Sequence, residues 1–83
     1  MVSVKLSDSA LHDFERIDPT ITKRIIAKLM WLEANFTNVT LEPLHYNLKG
    51  LYKMRVGDYR IEYSVQDNII LIQAIGHRRD IYR

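Results

Sequence analysis

The spacing of apolar and polar residues divides the chain into a helical segment flanked by strand-like segments. Residues 2–6 alternate with period two, which is typical of a short strand. Apolar positions then recur with helical spacing, and this predicts helices over residues 8–17 and 19–36. Residues 37–48 carry no regular pattern. Three further strands are predicted after them, over residues 51–56, 59–66 and 69–76.

Local signals mark where the two helices begin. Ser7 is a favourable N-cap for the first helix, and Asp18 followed by Pro19 is typical of the start of the second. Each helix has one predicted buried stripe. The stripes consist of Leu11, Phe14 and Ile17 on the first helix, and of Ile21, Ile25, Leu29, Leu32 and Phe36 on the second.

The order of these elements predicts an α+β fold. A chain of 83 residues is long enough for one small domain, which we expect to cover residues 1–83. We expect the two N-terminal helices to pack on one face of an antiparallel sheet of about four strands.

The dipeptide Gly57-Asp58 predicts a two-residue hairpin turn, and the turn sets a register. Val56 then faces Tyr59, Arg55 faces Arg60, and Lys53 faces Glu62. One side of the hairpin is apolar and should lie under the helices. The other side, called here the open face, carries Lys53, Arg55, Arg60 and Glu62.

A second turn at Asp67-Asn68 extends this register to the last strand. It places Ile70, Ile72 and Ala74 under the helices. It places Leu71, Gln73 and Ile75 on the open face, with His77 just beyond Ile75 on the same side.

Arg55 opposite Arg60 is an unfavourable pair for a purely structural sheet, because facing like charges destabilise it. An anion bound between the two guanidinium groups would account for the pair, since arginine suits bidentate phosphate contacts. Alternatively, the two side chains diverge into solvent, or the register is off by one residue.

The distribution of charge also favours a polyanionic partner. Residues 1–42 have a balance of −1 and residues 43–83 a balance of +3, so the basic excess lies in the half of the chain that contains the last three predicted strands. An ordinary solvated surface is the alternative interpretation.

Several classes of function are disfavoured by what the sequence lacks. There is no cysteine, no HExxH motif, no glycine-rich phosphate loop and no cluster of metal ligands, so we expect no metal and no other cofactor. We expect no signal peptide, because the first residues show no basic stretch followed by an apolar region, and no apolar run approaches the ~20 residues of a membrane helix. We therefore expect a cytoplasmic protein with no membrane partner.

Two stretches together resemble the signature of RelE-type toxins in the RelE/ParE superfamily. They read NLKGLYKMRVGDYRIEY at residues 47–63 and IGHRRDIY at residues 75–82. With the order of elements, the resemblance covers essentially the whole chain. It implies the RelE-like fold, a type II toxin-antitoxin system, a cognate antitoxin as partner, and ribosome-dependent cleavage of mRNA in the A site by attack of a 2′-hydroxyl, without a metal.

The resemblance also assigns roles to individual residues. Arg60 and Arg78 would bind the scissile phosphate and stabilise its charge. Lys53 and Arg55 would hold the RNA and lower the pKa of the attacking hydroxyl. Tyr82 would stack on a base or assist proton transfer.

Further residues are weaker candidates. Glu42-Pro43-Leu44 resembles the YoeB branch, which makes Glu42 a candidate general base, although a surface carboxylate is the default. His77 is a candidate catalytic residue beside the basic tail, or a structural histidine. Candidate RNA-binding residues are Lys49, Arg79 and Arg83.

Two further functions stay open at this point. A ParE-like inhibitor of DNA gyrase would share the fold and cleave nothing, and an RNA-binding module could bind without cutting. Met30 and Trp31 are more typical of core or partner contacts than of chemistry. Trp31 and the pair Leu71 and Ile75 are candidate docking points for the antitoxin.

Overall fold

The computed structural model describes residues 2–43 and 50–77. The elements in chain order are β1 (Ser3–Leu6), α1 (Asp8–Glu15), α2 (Pro19–Asn35), a one-turn 3-10 helix (Phe36–Asn38), β2 (Glu42–Pro43), β3 (Leu51–Val56), β4 (Tyr59–Gln66) and β5 (Ile69–His77).

Both helices begin where the capping residues predict. The Ser7 hydroxyl accepts a hydrogen bond from the Ala10 N–H at 3.1 Å, and the Asp18 carboxylate accepts one from the Thr20 N–H at 2.8 Å. Pro19 opens α2 at a position where its missing N–H costs nothing. Across the described ranges, no helix has both the length and the apolar character to cross a membrane.

The sheet confirms the α+β class but corrects its details. Five strands lie in the order β1-β5-β4-β3-β2, and β1 runs parallel to β5. The predicted antiparallel sheet of about four strands was wrong in this respect, because alternation of side chains reveals a strand but not its direction. The two residues of β2 lie within a segment predicted to be irregular, where Pro43 hides any strand pattern.

The core lies between α2 and the sheet, as its predicted stripe requires. Ile25, Leu29 and Leu32 are buried against strand residues that include Ile61 and Ile72. The stripe of α1 was only partly predicted. Ala10 is fully buried, whereas Leu11 is 50% exposed. The small Ala10 side chain allows α1 to lie close to β5, and this turns Leu11 outward.

The register of the first hairpin is confirmed pair for pair from Tyr52–Tyr63 to Val56–Tyr59. The second hairpin begins as predicted, with Gln66 opposite Ile69, and holds as far as Tyr63 opposite Ile72. The next pair, however, is Glu62 with Ala74, so Gln73 is an extra residue in β5. This β-bulge shifts every later residue of β5 by one position.

The bulge overturns three predicted orientations. Ile75 is buried at 3% exposure instead of lying on the open face, and Ala74 pairs with Glu62 instead of joining the core. His77 pairs with Tyr59, on the side covered by the helices. A one-residue insertion exchanges the two faces of a strand, which accounts for all three errors.

Side chains from α1 and its cap hold the bulge in place. The Asp13 carboxylate accepts a hydrogen bond from the Ile75 N–H at 3.0 Å, and the Ser7 hydroxyl donates to the Gln73 carbonyl at 3.3 Å. The Gln73 side-chain amide donates to the Ser64 hydroxyl at 3.1 Å. Backbone groups displaced from the strand ladder thus find other partners.

Candidate functional site

The first hairpin brings three predicted cations to one side of the sheet. Lys53 and Arg55 are two residues apart on β3, and Arg55 lies directly opposite Arg60 on β4. Alternate residues of a strand point to the same face, so all three extend from the open face. This part of the predicted site is assembled as the turn at Gly57-Asp58 required.

Arg60 is buried, which the sequence did not indicate. Its side chain is only 4% exposed, and its Nε lies 3.5 Å from the Glu62 Oε2. Both residues are on β4, two positions apart, so they extend from the same face. Burial next to a carboxylate fixes the guanidinium in one place, in surroundings where its charge is less screened than in water.

Lys53 forms an ion pair with a carboxylate on β2. The register places it opposite Glu62, yet its Nζ lies 3.6 Å from the Glu42 Oε1. Glu42 belongs to β2, where it pairs with Lys53 across the strands. The short β2 strand therefore brings the candidate general base to the cationic side chains.

The open face is mixed in charge rather than uniformly basic. Glu42, Lys53 and Glu62 form one row across the sheet, and Arg55, Arg60 and Gly76 form the next. Within the described ranges, ion pairs join the two carboxylates to Lys53 and Arg60, while Arg55 is exposed and makes none. Of the three cations on the hairpin, Arg55 is thus the one most accessible to an incoming phosphate.

His77 does not lie with these cations. Its ring meets the Tyr59 ring edge to face, with centroids 5.5 Å apart, on the helix side of the sheet. The expectation that His77 belongs to the open face is therefore wrong, and the bulge at Gln73 is the reason. The remaining site predictions concern residues outside the described ranges: Lys49, Arg78, Arg79, Tyr82 and Arg83.

Sequence reasoning missed a basic cleft between α2 and the edge of β3. It has a volume of about 410 Å³. Its lining consists of Arg24, Ala27, Lys28, Trp31, Arg55, Val56 and Gly57. The available signal was the spacing of Arg24, Lys28 and Trp31 by four and then three residues, which places them on one face of a helix.

A second concave surface lies at the opposite edge of the sheet and is apolar. This groove, of about 450 Å³, lies between α1, α2 and β1. The exposed apolar side chains Leu11, Ile26 and Met30 line it, together with Val4, Leu6, Phe14, Leu29 and Glu33. At its rim, the Glu33 carboxylate accepts a hydrogen bond from the Val4 N–H at 2.7 Å, which occupies part of the free edge of β1.

The structure thus has a helical layer on one side of a mixed sheet and a cluster of cations on the other side. Residues 4–82 match the family model described as the ParE toxin of type II toxin-antitoxin systems. Since this match spans nearly the whole sequence, the chain belongs to that family.

Individual relatives carry RelE-type names. The chain is 28% identical to toxin RelG of Mycobacterium tuberculosis over 89 residues, covering 98% of this chain and 95% of the relative. It is 30% identical to toxin RelE3 of Methanocaldococcus jannaschii over 87 residues, covering 98% and 96%. The expected resemblance to RelE-type toxins is therefore confirmed.

Solved structures agree on the fold. The RelBE2 toxin-antitoxin complex of Mycobacterium tuberculosis contains a chain with a TM-score of 0.79 and 25% identity, covering 93% of this chain and 98% of the other. The RelB-RelE complex of Methanococcus jannaschii gives a TM-score of 0.76 and 25% identity, covering 93% of each. This chain is thus a type II toxin with a RelE-like fold.

Proposed function

We propose that this toxin is an endoribonuclease that cleaves mRNA in the ribosomal A site. The observation that carries the proposal is the cluster on the open face, where Arg55 faces the buried Arg60 and Glu42 lies 3.6 Å from Lys53. Cations beside a carboxylate are the groups needed to bind a phosphodiester and to remove a proton from its neighbouring hydroxyl. Action on the ribosome would place the protein in the cytoplasm.

The proposed reaction is an internal transfer within the RNA. The 2′-oxygen attacks the adjacent phosphorus, the bond to the 5′-oxygen breaks, and the products are a 2′,3′-cyclic phosphate and a 5′-hydroxyl. Glu42 accepts the proton of the 2′-hydroxyl. Arg60 stabilises the extra negative charge on the phosphorane, since a guanidinium fixed in advance needs no reorganisation as that charge develops.

Other residues complete this assignment. Arg55, exposed and opposite Arg60, holds the phosphate, and Lys53 lowers the pKa of the attacking hydroxyl. Arg78 is proposed as a second phosphate ligand, and Tyr82 as a stacking partner or as the donor of a proton to the departing 5′-oxygen. Lys49, Arg79 and Arg83 are proposed to contact the RNA backbone.

Product analysis on translating ribosomes tests the proposal. Primer extension on a translated message should show cuts within codons, and the fragments should end in 2′,3′-cyclic phosphates. A 3′-hydroxyl with a 5′-phosphate would mean that water is the nucleophile, which contradicts both the mechanism and the expected independence from a metal. The matched control is Lys5→Gln, which removes an exposed cation from β1, at the far edge of the sheet.

A gyrase inhibitor is the second candidate, favoured by the name of the family model that the chain matches. If the toxin is a nuclease, its induction should reduce incorporation of labelled methionine before that of thymidine. The opposite order, accompanied by DNA breaks, would support gyrase inhibition. RNA binding with a steep salt dependence but no cleavage products would support a non-cleaving module.

We propose an antitoxin as the protein partner. The related RelBE2 and RelB-RelE structures are complexes of a toxin with its antitoxin. On this chain, the apolar groove between the helices and β1 suits an amphipathic segment of such a partner, because it exposes Leu11, Ile26 and Met30 side by side.

A further inference from the structure

The basic cleft is formed by one face of α2 opposite the turn between β3 and β4. Arg24, Lys28 and Trp31 follow one another at helical spacing beside the buried stripe of α2. Trp31 is 46% exposed, and the Lys28 Nζ lies 4.1 Å from the centroid of its ring. Lys28 therefore covers part of the indole, and a large part of the aromatic surface stays accessible.

The turn allows a close approach of a cation to the backbone. Gly57 has a φ of +59°, and a Cβ at this position would lie 3.5 Å from the Arg24 Nη2. The Arg24 guanidinium thus lies against the turn. Next to it, β2 pairs only with Tyr52 and Lys53, so within the described ranges no strand covers the edge of β3 at residues 54–56.

The chemistry of the cleft favours single-stranded nucleic acid. Every titratable side chain in its lining is a cation: Arg24, Lys28 and Arg55. Cations that follow a backbone, combined with an exposed aromatic ring on which a base can stack, form the usual platform for single strands. The groove suited to an apolar protein segment lies at the other edge of the sheet, on β1.

We infer that this cleft is a second RNA-binding surface, which stacks one base of the message on Trp31 and holds the adjacent phosphates with Arg24 and Lys28. Arg55 belongs both to the cleft and to the open face. The RNA strand leaves the cleavage site at Arg55, passes around the edge of β3 at residues 54–56 and reaches Trp31. The inference rests on the proposed function, since it assigns a path to the RNA that is cut.

The experiment uses the fact that Trp31 is the only tryptophan of the chain. A short 2′-O-methyl oligouridylate, which lacks the attacking hydroxyl, is titrated into the protein at low salt while tryptophan fluorescence is recorded. We expect saturable quenching. Trp31→Leu should weaken binding, followed by anisotropy of labelled RNA, roughly 5- to 150-fold, the range for losing one stacked base. Arg24→Gln and Lys28→Gln should each reduce the salt slope by about one.

Controls separate this inference from the proposed function. Lys5→Gln should leave binding and quenching unchanged, and circular dichroism should confirm that every variant is folded. On ribosomes, Trp31→Leu should raise the toxin concentration needed for half-maximal cleavage while the single-turnover rate at saturation stays the same. Failure of the wild-type protein to cut mRNA on ribosomes would contradict the proposed function, whereas the fluorescence titration reports on the cleft alone.

Three results would overturn the inference. The first is RNA binding that does not quench the wild-type fluorescence and that has the same affinity in Trp31→Leu, which would place the RNA elsewhere. The second is quenching by poly-glutamate but not by RNA, which would assign the cleft to an acidic protein partner. The third is the absence of any RNA binding by the folded protein at low salt.

Discussion

Replacing Arg60 by alanine tests the site and the fold at the same position. Arg60→Ala removes a buried cation and leaves the Glu62 carboxylate without the guanidinium that lies 3.5 Å away. The variant should therefore lose stability and cleavage together. The two losses have different physical origins, and they can be separated by changing Glu62 as well.

The expected loss of stability is moderate. Removing one partner of a fully buried pair costs about 3–5 kcal/mol. The Glu62 side chain retains 21% exposure, so water can solvate part of its charge. Loss of the repulsion between Arg55 and Arg60 also stabilises the variant by a few tenths of a kcal/mol. We expect a cost of about 1–3 kcal/mol. Domains of this size have a total stability of about 4–12 kcal/mol, so the variant should fold.

The expected loss of activity is larger. If Arg60 stabilises the phosphorane, its removal should lower the single-turnover rate on ribosomes roughly 10²- to 10³-fold, the effect of losing one preorganised donor. Arg60→Lys keeps the charge without the planar fork and should recover part of the rate. Each rate is measured well below the melting temperature of the variant, which circular dichroism gives for the same sample.

Glu62 distinguishes catalysis from folding. The double variant Arg60→Ala/Glu62→Gln also removes the carboxylate that has lost its ion-pair partner. This variant should melt at a higher temperature than Arg60→Ala while cutting no faster. Glu62→Gln alone leaves the Arg60 cation in place and should still cleave. Recovery of cleavage in the double variant would show that Arg60 acts only through folding. A folded Arg60→Ala that cuts at the normal rate would refute the site assignment.

Three further predictions concern the helices and the core. Asp13→Ala removes the acceptor of the Ile75 N–H and should lower the free energy of unfolding in urea by about 1–3 kcal/mol. An unchanged free energy of unfolding would show that this hydrogen bond does not stabilise the fold. Burial, then Tyr52 and Glu42, raise the pKa of Tyr63 above its usual 10.0, so this phenol stabilises the fold below pH 10.0 and loses that effect as the pH rises further. Above pH 10.0, the free energy of unfolding of Tyr63→Phe should therefore fall less steeply with pH than that of the wild type. Equal slopes would contradict this reasoning. Met30→Glu places a charge in the apolar groove and should weaken antitoxin binding in calorimetry without changing mRNA cleavage, whereas unchanged affinity would place the antitoxin elsewhere.

The sequence predicts the first hairpin and its cations well because short-range rules determine them. A two-residue turn at Gly57-Asp58 fixes the register, and alternation then decides which side chains share a face. Arg55 opposite Arg60 follows from these two facts alone, and the structure confirms the pair. The helix starts at Ser7 and Asp18 were predictable for the same reason, since a cap acts on the next few residues.

The features that sequence reasoning missed depend on contacts between distant parts of the chain. Asp13 bonds to a backbone group 62 residues away, and nothing near Gln73 in the sequence marks the bulge. The parallel pairing of β1 with β5 joins the two ends of the described fold in the same way. The burial of Arg60 could not be predicted either, because a period-two pattern separates the faces of a sheet without showing how deeply each is covered.

The bulge also determines the surroundings of the cationic row. Without it, the register predicted from Asp67-Asn68 would place Ile75 opposite Arg60 on the open face. With Gln73 as an extra residue, Ile75 turns into the core, and Gly76 lies opposite Arg60. One insertion thus moves a bulky apolar side chain away from the guanidinium and leaves a glycine beside it. Since Ser7 and Asp13 hold this bulge, the first helix and its cap help to shape a site on the far side of the sheet.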